Sequence, residues 1–185
     1  MRKSIGAVLA VASLLPLVMT ATPASAATGL TCTKLTGTVT WTPALPKIGS
    51  KTLVKSKVVA KGSFSGCTGT PGITSGKFVF TQLPGTTGSN CSMLLASKTQ
   101  NSASVVTTWN NGKTTTSAKT TVTKIGQQGL AGVVTTNGKN TSGTVFVGQT
   151  ATATTLFTPL KGGCVSGALS SASVALKAGT KVVIK

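Results

Sequence analysis

Lys51, Lys55, Lys57 and Lys61 fall on one parity of an alternating stretch of this chain. In an extended strand successive side chains point to opposite faces, so the four amines share a face and spread along about 33 Å of it at 3.3 Å per residue. A row of ammonium groups in that spacing suits docking to a polyanion, which lysine attracts as a point charge. The same row also serves as a solvated face that guards an edge strand against pairing. Leu53 and Val59 lie on the same face, so part of it is expected to be covered. Amines scattered thinly around an uncharged ligand groove would instead leave charge as a solubility device.

Other chemistry is sharply limited. The chain has no Asp, no Glu and no His, against 18 Lys plus Arg. General acid–base catalysis draws mainly on the three absent types. A Ser–His–Asp relay and a carboxylate pair for glycoside hydrolysis are both excluded. Carboxylate-rich calcium or magnesium sites are excluded with them, and zinc would have only four cysteines to rest on. A Ser–Lys or Thr–Lys pair survives, but Ser-x-x-Lys occurs nowhere. The Thr-x-x-Lys spacing at Thr52, Thr74, Thr116, Thr121, Thr136 and Thr158 is what a Thr- and Lys-rich chain produces by chance. No catalytic residue, metal or cofactor is therefore assigned, and the chain reads as non-enzymatic.

Residues 1–26 carry the order of a secretory signal peptide: Arg2 and Lys3, an apolar stretch from Ile5 to Met19, and the small residues Ala24-Ser25-Ala26. The stretch is shorter than the roughly 20 residues of a membrane span and is broken by Pro16. Cleavage would leave residues 27–185 as one domain, with no further apolar run of spanning length and no linker. Export gives Cys32, Cys67, Cys91 and Cys164 their meaning, because four cysteines in an oxidising compartment usually make two disulfides. Of three pairings we expect Cys32–Cys67 with Cys91–Cys164. The midpoint of the first pair lies between Gly49 and Ser50, inside the turn-rich stretch from Pro43 to Ser50. An antiparallel hairpin centred there brings both cysteines to its open end.

The elements that must position these groups are strands. The domain is rich in Thr, Val, Ser and Gly, a strand composition. Alternation predicts strands at Leu35–Thr42, Lys51–Lys61, Lys77–Leu83, Ala103–Asn110, Thr114–Ile125, Leu130–Thr136, Thr144–Val147, Thr150–Phe157, Leu169–Leu176 and Lys181–Ile184. Asn111-Gly112 and Asn137-Gly138 read as hairpin turns, and 126–129 and 161–163 as loops. About ten short strands at regular spacing predict an all-β, antiparallel, Ig-like β-sandwich, with a small closed β-barrel as the alternative. Trp41 and Trp109 alternate with Val39 and Val105, so both are expected in the core rather than as exposed stacking platforms.

Gly66-Cys67-Thr68, Asn90-Cys91, Trp109-Asn110-Asn111-Gly112 followed by Ser117, and Gly163-Cys164 resemble landmarks of small exported actinobacterial β-sandwich proteins of uncharacterised function. The resemblance covers most of residues 27–185. It implies a secreted, extracellular or cell-wall-associated protein and transfers no catalytic residue.

Together these readings predict a secreted binding or structural protein of the cell envelope that contacts anionic polymers or surfaces through its lysines. An adhesin-like domain that recognises a partner with its loops is one alternative. An effector acting on anionic membranes is another, although no basic amphipathic helix is visible. Sequence-specific nucleic-acid binding is not expected: residues 27–185 lack the Arg forks that read guanine edges, and no aromatics interleave with the lysines to stack bases.

Overall fold

The computed structural model describes residues 28–85, 87–96, 103–128, 131–161 and 163–185; the leader read at residues 1–26 lies outside them. The strands are β1 (Leu30–Leu45), β2 (Lys57–Thr68), β3 (Ser75–Gln82), β4 (Ala103–Trp109), β5 (Thr114–Gln128), β6 (Ala131–Gly143), β7 (Thr150–Lys161), β8 (Leu169–Leu176) and β9 (Val182–Ile184). One short helix, α1 (Cys91–Ala96), sits between β3 and β4. The fold is all-β and antiparallel with two disulfides, as the sequence predicts.

The strands make a single sheet in the order β2-β3-β4-β5-β6-β7-β8-β1-β9. β1 pairs with β2 on one side and with β8 on the other, which closes the sheet on itself. Of the two architectures open to the sequence, closure is that of the barrel. Its opposite walls turn their apolar residues toward one another, as the two layers of a sandwich do. β9 continues the line of β8: β1 pairs with β8 from Thr36 to Leu45 and with β9 from Leu30 to Cys32. Closure pairs every wall strand on both sides and leaves no edge among β1–β8.

The β1–β2 register runs from Thr31↔Thr68 to Thr42↔Lys57 without a shift. Its axis falls between Gly49 and Ser50, and Cys32 lies directly opposite Cys67. The pleat sets the two faces. Leu35, Val39 and Trp41 are buried inside while Thr36, Thr38, Thr40 and Thr42 are exposed outside. Polar-out and apolar-in is the reverse of the alternation of barrels that sit in a membrane. Among the described residues no helix is long and apolar enough to cross one.

Four local expectations are corrected. β2 begins at Lys57, so residues 51–56 are a connection that touches the sheet only through the Val54↔Ser89 bridge. Its course is held by the Ser56 hydroxyl, which donates to the Pro43 carbonyl at 2.7 Å. Asn137-Gly138 is not a turn. β6 runs straight through it, with Gly138 paired to Thr120 and Ala151, because strands continue on both sides. The reversal comes at residues 144–149 instead, where Gly143 and Gly148 have positive φ, so the predicted strand Thr144–Val147 is a turn. Gly126–Gln128 belongs to β5, so the loop predicted at 126–129 is strand as far as Gln128, and residue 129 lies outside the described residues.

Candidate functional site: the barrel lumen

Up-and-down connectivity sorts the loops into two ends. At one, which we call the floor, lie the chain before β1, the β2–β3, β4–β5 and β6–β7 connections, and the end of β9. At the other, the mouth, lie the β1–β2, β3–β4, β5–β6 and β7–β8 connections.

The floor is packed. Leu30, Cys32, Phe64, Cys67, Ile73, Trp109, Phe146 and Ile184 are all buried. The Phe64 ring stacks on Phe78 at 4.8 Å and on Trp109 at 5.9 Å, and Phe146 meets Trp109 edge-on at 5.5 Å. Phe146 reaches this place from the β6–β7 turn with φ 58°. A non-glycine residue there costs about 1–2 kcal/mol, which burial of the phenyl ring, worth about 1.5–3 kcal/mol, offsets. Asn110 ties the floor together. Its Oδ1 accepts from the amides of Thr74 and Ser75, and its Nδ2 donates to the Gly72 carbonyl.

Above the floor the interior opens into a cavity of about 550 Å³ lined by residues of every strand. Two kinds of wall enclose it. The β1–β4 wall turns large residues inward, among them Trp41, Phe78, Phe80 and Val105. The β6–β7 wall turns in four small residues, Gly132, Gly138, Ala151 and Ala153, set among Val134, Thr136, Asn140, Thr155 and Phe157. In ring order β2–β3 lie four places from β6–β7, so the phenylalanines face glycine and alanine across the lumen. The space exists because the second wall supplies too little volume to meet the first.

The lumen also carries a polar patch. Thr107, Thr115, Ser117, Asn140 and Thr155 line it and are buried. Trp109 Nε1 donates to Thr115 Oγ1 at 2.9 Å, and Thr115 Oγ1 donates onward to the Val145 carbonyl. Ser117 donates to the Lys139 carbonyl and Thr155 to the Val134 carbonyl. Asn140 differs. It is 3% exposed, and its amide nitrogen has no hydrogen-bond partner among the described residues. A buried donor left unpaired costs about 1–3 kcal/mol.

A stapled cap crosses the mouth. Cys91 follows β3 and Cys164 follows β7, so their disulfide joins segments that rise from opposite sides of the ring. The β1–β2 connection knits to both: Ile48 N donates to the Cys164 carbonyl, Cys91 N to the Pro46 carbonyl, and Asn90 Nδ2 to the Ser50 carbonyl. Asn90 Oδ1 also accepts from Met93 N and caps α1. The cap does not seal the lumen. Lys55, Met93, Val165 and Ser166 line the cavity and are exposed, so it opens to solvent beside them.

The four sequence-predicted lysines are all exposed. Lys57 and Lys61 share the outer face of β2, with Lys61 between Thr38 of β1 and Val79 of β3. Lys51 and Lys55 lie in the connection before β2, so the four do not form one strand row. Every lysine whose side chain is described is exposed, from Lys47 at the mouth to Lys113 at the floor. With all four cysteines in disulfides no thiolate ligand remains, and no group of metal-ligating side chains gathers among the described residues. Two disulfides suit an oxidising, extracellular compartment. Trp41 and Trp109 are in the core, as expected. Sequence reading missed the lumen and Asn140. The signal was the four small residues Gly132, Gly138, Ala151 and Ala153 at inward positions of β6 and β7, which acquire meaning only once those strands are known to face phenylalanines.

No family model matches this chain, and no characterised protein or solved structure is similar enough to lend it a role.

Proposed function

We propose that this protein is an exported, non-enzymatic binding barrel that holds an apolar small molecule in its lumen. One observation carries the reading: a cavity of about 550 Å³, lined from every strand and open at a capped mouth. Its size lies within the range of about 300–1,000 Å³ typical of ligand pockets, and a barrel of eight strands is wide enough to hold one small ligand. Water needs two to four polar partners to settle, and more than half of the lining residues are apolar. An apolar ligand fills such a space better. The absence of Asp, Glu and His supports binding without turnover, and the leader read at residues 1–26 supports export.

The test is titration with the neutral fluorescent probe N-phenylnaphthylamine. We expect saturable one-site binding with a change in tryptophan emission, weakened in Ala153→Leu, which narrows the lumen. Probe binding that is absent, or that Ala153→Leu leaves unchanged, would overturn the reading.

Contact with anionic envelope polymers through the exterior lysines is a second reading. It is favoured by the exposure of Lys51, Lys55, Lys57 and Lys61 with no side-chain carboxylate anywhere in the chain. On this reading charge holds the barrel near an anionic surface while the lumen does the recognising. Retention on purified cell walls should fall steeply with added salt; salt-insensitive retention would sink it.

A further inference from the structure

If the lumen is a ligand site, as proposed above, its polar patch defines what the ligand must carry. Three hydroxyl donors there are already used within the protein: Thr115, Ser117 and Thr155 each donate to a backbone carbonyl, and the Trp109 indole donates to Thr115. The Asn140 amide nitrogen is not used in this way: it is buried, lines the cavity and is unpartnered among the described residues. Asn140 lies near the floor end of β6, opposite Ser117 of β5. A donor held there can be satisfied by an acceptor on the occupant. Among the described residues that line the cavity the only formal charge is Lys55, which lies at the exposed mouth. An anionic group carried to Asn140 would lose its hydration with no counter-ion beside it.

We propose that the lumen takes a neutral, elongated apolar molecule bearing one carbonyl-type acceptor, inserted acceptor first, so that Asn140 Nδ2 donates to that oxygen and the hydrocarbon body runs along the Phe80, Val105 and Phe157 level toward the mouth. The class is that of ketones, esters and amides with a hydrocarbon chain. Free fatty acids in their ionised form and plain alkanes are the disfavoured neighbours. A site built to hydrogen-bond a ligand group discriminates against an analogue that lacks it, because the protein donor is then left unpaired.

The test uses the disulfide-intact protein and three probes of matched length: methyl nonyl ketone, undecane and undecanoate at neutral pH, each displacing N-phenylnaphthylamine. We expect the ketone to bind about tenfold tighter than the alkane and undecanoate to bind more weakly than the ketone. In Asn140→Leu the preference should vanish, with undecane bound at least as tightly as before. Infrared spectroscopy of the bound ketone in the unmutated protein gives a readout that needs no variant: the carbonyl band should shift to lower frequency than in hydrocarbon solvent. Equal affinity for ketone and alkane, an unshifted carbonyl band, or tightest binding by undecanoate would each overturn the acceptor-first proposal while leaving the lumen reading standing. If none of the three displaces the probe, the lumen reading itself falls.

Discussion

The two ends of this barrel obey the same alternation and reach opposite results. At the floor inward residues are large and meet one another: Phe64 on Phe78 and Trp109, and Phe146 edge-on to Trp109. Toward the mouth, inward residues such as Val58, Phe80, Val105 and Phe157 point the same way yet remain only partly buried. Parity decides which side chains enter a barrel. Their summed volume across the ring decides whether the interior becomes a core or a container.

Truncation at each end should separate the two most strongly. Trp109 is 3% exposed and loses packing, ring contacts and a hydrogen bond on Trp109→Ala, for an expected cost of about 3–5 kcal/mol. Phe157→Ala at the lumen should cost less than half of that, because the ring already borders free space. Denaturant unfolding of both variants measures the gap. Equal losses would mean that the mouth half is as densely packed as the floor.

The disulfides offer the next contrast. Each closes a long loop, with sequence separations of 35 and 73, and removing either should cost about 2–4 kcal/mol. Their effects on binding should differ. Replacing Cys91 and Cys164 together with alanine frees the cap and should speed ligand release. Replacing Cys32 and Cys67 leaves the mouth intact and should not. Stopped-flow release of the fluorescent probe distinguishes them; identical release rates in the two pairs would show that the cap does not control access.

Much of the architecture was legible in the sequence, and the illegible parts have physical causes. Strand positions followed from parity, and Cys32–Cys67 followed from a hairpin axis that could be placed between Gly49 and Ser50. The Asn111-Gly112 turn was legible for a local reason: Gly112 adopts φ 77° and its amide reaches back to the Trp109 carbonyl. Asn137-Gly138 has the same dipeptide and is strand, because long-range pairing to β5 and β7 outweighs a local turn preference. The lysine row failed for a related reason. Residues 51–56 alternate correctly but are drawn toward the cap by the Val54↔Ser89 bridge and the Ser56 hydrogen bond. The lumen was hidden because a cavity is a property of opposing walls, and no single strand records the residues four places round the ring.

A smaller effect sharpens the same comparison with the opposite sign. Ala153 faces the lumen from β7, so Ala153→Leu adds apolar volume where space exists. It should stabilise the fold by about 0.5–2 kcal/mol, the range of cavity-filling changes, while weakening probe binding. The equivalent enlargement at the packed floor, Gly76→Ala, should destabilise instead, since the added Cβ would lie 2.6 Å from Cε3 of Trp109. Thermal unfolding of the two variants reads the signs. Destabilisation by both would mean that the lumen wall cannot accept added volume.

The smallest expected effect is shared by both ends and concerns pH. Stability changes with pH only where folded and unfolded chains bind different numbers of protons. No side chain here titrates as a carboxylate or imidazole, so floor and mouth are alike blind to acid. Unfolding free energy should vary by less than about 1 kcal/mol from about pH 3 to pH 7, and affinity for a neutral ligand should be equally flat over that range. Salt should act where acid does not. The exposed lysines repel one another without internal counter-ions, and screening them should raise stability modestly. A steep acid transition would require a proton-binding group that this composition does not contain. It would mean that the charge-free interior, the premise for a neutral ligand at Asn140, had been misread.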